Sequence, residues 1–151
     1  MTSTTLPPRS RVASVPAAPA PLSARHFLAR LAFETDPSDL AADLAAGVPD
    51  LVVVDTRTPE AYAVTHIPGA VNLPPATIDD ELAAALDANA LYVTYCWGPA
   101  CNASTKGAAA LASLGFQVKE LLGGLSAWQA EGFTVEGTDP TVTESDLACA
   151  C

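Results

Sequence analysis

The chain has 151 residues, 50% of them hydrophobic, which is enough for one domain with a single sizeable core and tails. Its formal net charge of -10 repels nucleic acid and anionic lipid alike, so neither a nucleic acid nor a membrane is expected as a partner. Cysteines at 96, 101, 149 and 151 are too few and too unevenly spaced for a disulfide scaffold, which predicts reduced thiols and a cytoplasmic protein.

Residues 1–21, MTSTTLPPRSRVASVPAAPAP, carry few large apolar side chains and are expected to form a disordered leader. No run in the chain approaches the ~18 apolar residues of a membrane span, and no apolar stretch follows the first charges, so secretion is not expected. Arg9, Arg11, Arg25 and Arg30 precede the first acidic residue, Glu34, as in an organelle transit peptide, but the prolines among them break the amphipathic helix such a peptide needs.

The domain is expected over residues 22–137. Phe27, Leu28 and Leu31 stand at helical spacing and predict a short helix packed on the domain. Asp36 caps a second helix, with Pro37 at its first position and Gly47 at its stop. LVVVD, Leu51 to Asp55, is an apolar run of the kind buried on both faces of a parallel sheet. Thr58 and Pro59 open the helix TPEAYAV, and Thr77 is the expected cap of TIDDELAAAL. LYVTY is a second buried strand, STKGAAALASLG a helix stopped by Gly115, FQVKELL a third strand, and GGLSAWQAEG a helix bounded by glycines. FTVEG closes the domain, and residues 138–151 form an acidic tail with two cysteines. Strands alternating with helices give an α/β fold, a sheet covered on both sides.

Ligands of open α/β sheets bind beyond the carboxyl ends of the strands, and Cys96 falls there, directly after LYVTY. The loop Trp97, Gly98, Pro99, Ala100, Cys101 and Asn102 then runs into a helix, so backbone N–H groups and the helix N-terminus favour a thiolate at Cys96. Gly98 permits an unusual turn and Pro99 stiffens it. Asp55 and Arg57 either border the pocket or belong to a capping turn in which Arg57 pairs with Glu60. His66 could join Cys96 in a nucleophile–base pair, although its place in HIPGA favours packing before a Pro-Gly turn. Zinc ligands need pairs at two-to-four-residue gaps, which these cysteines do not supply, so no metal is expected.

VDTRTPEAYAVTHIPGAVNLP, TYCWGPACNAS and LLGGLSAWQAEGF, in that order, resemble the first signature, the active-site loop and the closing motif of rhodanese-like sulfurtransferase domains. The resemblance spans about Thr35 to Gly137. It implies a rhodanese-like three-layer fold with a central, mostly parallel five-stranded sheet flanked by helices. It also implies that Cys96 takes sulfane sulfur from a small donor, thiosulfate or a persulfide, and passes it to a thiol or protein acceptor, with no cofactor. Asp55 and Arg57 carry over as structural support only.

The loop departs from the family pattern at Cys101, where active members commonly carry a cation, and this puts thiosulfate turnover in question. Lys106 either supplies charge or is a solvated surface residue. Three readings of Cys101 stay open: an apolar packer, a thiol that resolves a Cys96 persulfide by forming a disulfide, or an internal sulfur relay. Trp97 either forms a lip that selects the partner thiol or covers the sheet edge. Two further functions compete with the sulfurtransferase: a catalytically weak rhodanese module for protein binding or redox sensing, and a Cys96/Cys101 thiol-disulfide oxidoreductase. A cysteine phosphatase is disfavoured, because its cradle needs an arginine in the loop.

Overall fold

The structure, a computed structural model, describes residues 10–143 and 146. Cys149 and Cys151, assigned above to the acidic tail, lie outside these. The chain divides into two compact units after Leu31.

The first unit carries a 3-10 turn at Val12–Ser14 and most of helix α1, Ala20–Phe33. This helix begins two residues before the apolar spacing predicts. Along it Phe27, Leu28 and Leu31 are 59%, 65% and 68% exposed. Helical spacing defines an apolar face but not the surface that covers it.

The second unit holds one five-stranded sheet in the order β1-β5-β4-β2-β3, built from β1 Glu34–Thr35, β2 Leu51–Asp55, β3 Val71–Asn72, β4 Leu91–Tyr95 and β5 Gln117–Leu121. All four strand pairings are parallel. The remaining helices are α2 Pro37–Ala46, α3 Pro59–Val64, α4 Asp80–Ala83, α5 Ala103–Ser113 and α6 Gly124–Ala130.

The strand alternation sorts side chains into two cores, one on each face of the sheet. Val53 and Val93, paired in register, join Leu40 of α2, Ala61 of α3 and Leu125 and Trp128 of α6. Val54 and Tyr92 join Leu111 of α5 in the other layer. Burying each such large apolar side chain contributes about 1.5–3 kcal/mol.

Local chemistry sets the helix ends. Asp36 accepts the Asp39 N–H at 2.9 Å, Gly47 closes α2 with φ +65°, and Thr58 accepts from the Ala61 N–H, as the sequence predicts. Helix α4 differs. Its cap is Asp79, which accepts the Leu82 N–H at 2.9 Å, while Thr77 ends a 3-10 turn and donates its hydroxyl to the Pro74 carbonyl. A carboxylate two residues nearer the helix offers the stronger acceptor for its free N–H groups.

Candidate active site

The carboxyl ends of β2 and β4 meet in a buried polar cluster. The Arg57 guanidinium donates to both carboxylate oxygens of Asp55 and to the Thr65 carbonyl, with Asp55 and Arg57 fully buried. Tyr95 donates its hydroxyl to Asp55 Oδ2 at 2.7 Å and accepts the Ile67 N–H at 3.1 Å. Burial, then the Asp55 charge, raises the Tyr95 phenol well above its ordinary value, so it stays a neutral donor. The guanidinium also lies over the indole of Trp97, 4.2 Å from the ring centre. An ion pair this far from water is tolerable only because both partners are multiply hydrogen-bonded.

Cys96 and Trp97 follow, held from the opposite side by α6. The Leu125 N–H donates to the Cys96 carbonyl at 2.9 Å and the Ser126 N–H to the Trp97 carbonyl at 2.8 Å. This approach requires glycine at 124, whose φ is +58° and where a Cβ would stand 2.4 Å from the Cys96 carbonyl oxygen. A Gly98–Cys101 turn, closed by the Cys101 N–H to the Gly98 carbonyl at 3.0 Å, brings the second cysteine back onto the first.

Cys96 and Cys101 are joined by a disulfide with Cα atoms 6.3 Å apart. The prediction of reduced thiols is therefore corrected for this pair. Sequence spacing does not measure distance, and the turn supplies the proximity that a disulfide requires. Cys96 is 1% exposed and Cys101 is half-buried.

A cavity of about 260 Å³ opens beside the disulfide. Of the predicted loop, Cys96, Gly98, Pro99, Ala100, Cys101 and Asn102 line it, whereas Trp97 is wholly buried and does not. Asp55 and Arg57 likewise lie under the loop rather than in the cavity, and Arg57 pairs with Asp55, not Glu60. His66 stacks on Tyr62, with Nδ1 2.7 Å from the Tyr62 carbonyl oxygen and Nε2 3.9 Å from Glu136, so it forms no pair with Cys96. Lys106 is exposed on α5 and does not line the cavity, in keeping with a solvated surface lysine.

Two acidic cavity residues escape the sequence reading. Glu34 and Glu120 face each other in the β1–β5 register, and both line the cavity. The Glu120 Oε1 accepts the hydroxyls of Ser104 and Thr105, the latter at 2.9 Å. Only the pairing of the first strand with the last brings these acids together. Among the described residues, no arginine, lysine or histidine lines the cavity.

A family model described as "Rhodanese-like domain" matches residues 36–131. The chain is 41% identical over 80 residues to the thiosulfate sulfurtransferase GlpE of Pseudomonas fluorescens, covering 52% of this chain and 71% of that protein. It is 34% identical over 91 residues to an HTH-type transcriptional regulator of Mycobacterium tuberculosis, covering 60% of this chain and 40% of the regulator's length. Among solved structures, the BH2092 protein of Bacillus halodurans superposes with a TM-score of 0.77 at 41% identity, over 85% of this chain and 91% of that one.

Proposed function

The chain belongs to the rhodanese-like domain family, and from that premise we propose that it is a sulfurtransferase whose Cys96 carries sulfane sulfur as a persulfide. The observation that carries this reading is the position of Cys96: at the carboxyl end of β4, on the wall of a cavity, with its carbonyl fixed by the N-terminus of α6. The reduced Cys96 thiolate attacks the outer sulfur of a donor, the donor's S–S bond breaks, and the donor leaves as a thiolate or sulfite. The outer sulfur then passes to an acceptor thiol. The chemistry calls for no cofactor.

The charge of the cavity selects among donors. Thiosulfate is a dianion whose sulfonate needs a cation, and Cys101 stands where the family's loop cation is common. The described lining residues include two carboxylates and no cation, so a persulfide donor fits better than thiosulfate. Intact mass after incubating the reduced protein with a persulfide donor tests the reading: one added sulfur atom on the wild type and none on Cys96→Ser. An unmodified wild type, or equal modification of Cys96→Ser, overturns it.

The disulfide favours a second reading, a thiol-disulfide oxidoreductase working through Cys96 and Cys101. Disulfides in a reducing compartment are characteristically transient and catalytic, so a cytoplasmic location fits either reading. Reversible equilibration of this pair with a glutathione redox buffer, without any sulfur donor, supports the second reading; thiols that stay reduced across the buffer range reject it.

A further inference from the structure

We propose that Cys101 is a resolving cysteine, which converts the Cys96 persulfide into sulfide and the Cys96–Cys101 disulfide. The inference rests on the persulfide reading above and adds a product to it. In the first step the Cys96 thiolate takes the outer sulfur of a persulfide R–S–SH, giving Cys96–S–SH and R–S⁻. In the second, the Cys101 thiolate attacks Cys96 Sγ, the inner sulfur; the bond between the inner and outer sulfur breaks, and HS⁻ leaves with the electron pair. The sulfane sulfur gains two electrons and the two cysteine thiols lose them. A thiol reductant restores the dithiol and becomes a disulfide itself.

The geometry meets each requirement of that second step. Attack on the inner sulfur demands that Cys101 reach Cys96 Sγ itself, and the structure joins those two atoms. Their Cα separation of 6.3 Å lies inside the usual range, so the backbone need not move to form the bond. The Cys101 N–H bond to the Gly98 carbonyl holds the attacking residue in the turn, while α6 holds the carbonyl of the attacked one. Such a fixed pair reacts far faster than two free thiols.

The surroundings favour departure of the product. Glu34 and Glu120 line the cavity that receives HS⁻, and no cation among the described residues lines it. Regeneration is also directed. Cys96 is 1% exposed and Cys101 half-buried, so an entering reductant meets the Cys101 sulfur first and leaves Cys96 as the freed thiolate. A merely apolar role for Cys101 explains neither the bond nor its orientation. A relay, in which Cys101 takes the outer sulfur, requires a different approach from the one the disulfide records.

The test mixes the reduced full chain with one equivalent of glutathione persulfide under argon and follows sulfide release and intact mass together. Background from decomposition of the donor is read from Cys96→Ser. The wild type is expected to release one sulfide per chain and to end two hydrogens lighter than its reduced form. Cys101→Ser and Cys101→Ala are expected to keep the added sulfur and to release no sulfide above background. A Cys149→Ser/Cys151→Ser chain is expected to match the wild type.

A wild type that keeps its persulfide and releases no sulfide overturns the proposal. So does a persulfide located on Cys101, or loss of sulfide release in the tail variant. If neither Cys101 variant takes up sulfur while circular dichroism reports both folded, the persulfide reading itself falls, and this outcome differs from a persulfide that forms without being resolved.

Discussion

The two sides of the Cys96–Trp97 peptide differ in kind. Beneath the loop, Arg57, Asp55, Tyr95 and Trp97 form a closed set in which the ion pair is fully buried and each carboxylate oxygen of Asp55 accepts more than once. Above it, the disulfide and two glutamates line an open cavity. Stability is concentrated in the first region, and the proposed reactivity in the second. Adjacent residues divide the work, because Trp97 is locked below and the Cys96 sulfur faces its partner above. A sulfur atom that must make and break bonds gains precision when its own backbone is held by neighbours that do not react.

The largest effect is expected where that division is broken from below. Arg57→Ala leaves the Asp55 carboxylate buried without its partner and removes the cation from the face of Trp97, so denaturant unfolding is expected to show a loss of about 3–5 kcal/mol. Arg57→Lys is expected to recover only part of this, because an ammonium does not reproduce the fork that spans both oxygens.

Gly124→Ala attacks the junction of the two regions. Its positive φ and the approach to the Cys96 carbonyl oxygen predict a loss of about 2–3 kcal/mol, and sulfur uptake at Cys96 is expected to slow with it. Unchanged uptake in a destabilised protein separates the structural clamp from the chemistry.

Tyr95→Phe removes one donor to Asp55 and the acceptor of the Ile67 N–H, for about 1–2 kcal/mol at neutral pH. Titration sharpens this. The folded phenol lies above its unfolded value near 10, so its contribution is complete below that pH and is lost as pH rises through the higher folded value. The wild type is therefore expected to lose stability at alkaline pH, and Tyr95→Phe to lose the part of that limb due to this group, as read by unfolding at pH 7 to 12.

The smallest effect lies in the open region. Glu120→Gln keeps an acceptor for Ser104 and Thr105 but removes one negative charge, and is expected to raise thiosulfate uptake relative to persulfide uptake about two- to threefold at low salt. Added salt shrinks that ratio toward one.

The central strands and the helix caps are legible in the sequence, and the buried polar cluster and the cavity only in part. LVVVD and LYVTY announce themselves as central strands because both faces are buried, and Asp36 and Thr58 cap their helices by local chemistry alone. The strands β1 and β3 have two residues each, too few for any periodicity to register. Cys96 was readable from its position after a buried strand, whereas the partnership of Cys101 depends on a turn that brings two Cα atoms close. The resemblance implies Asp55 and Arg57 only as structural support; their placement below the loop depends on contacts to Tyr95, Trp97 and Thr65. Glu34 and Glu120 were invisible as a pair, since eighty-odd residues of chain separate them and only the sheet edge unites them.

The grip of α6 on the loop also sets a timetable for biosynthesis. Cys96 leaves the ribosome about thirty residues before the Ser126 N–H that completes the hold on the adjoining carbonyl, and translation takes about two to six seconds to cover that distance. During that interval the nascent thiol has neither its helix nor the edge that β5 gives to β1. A newly made chain thus passes through a stage in which Cys96 is present but ungoverned, and the sulfur chemistry proposed for it would become selective only when nearly the whole domain has been delivered.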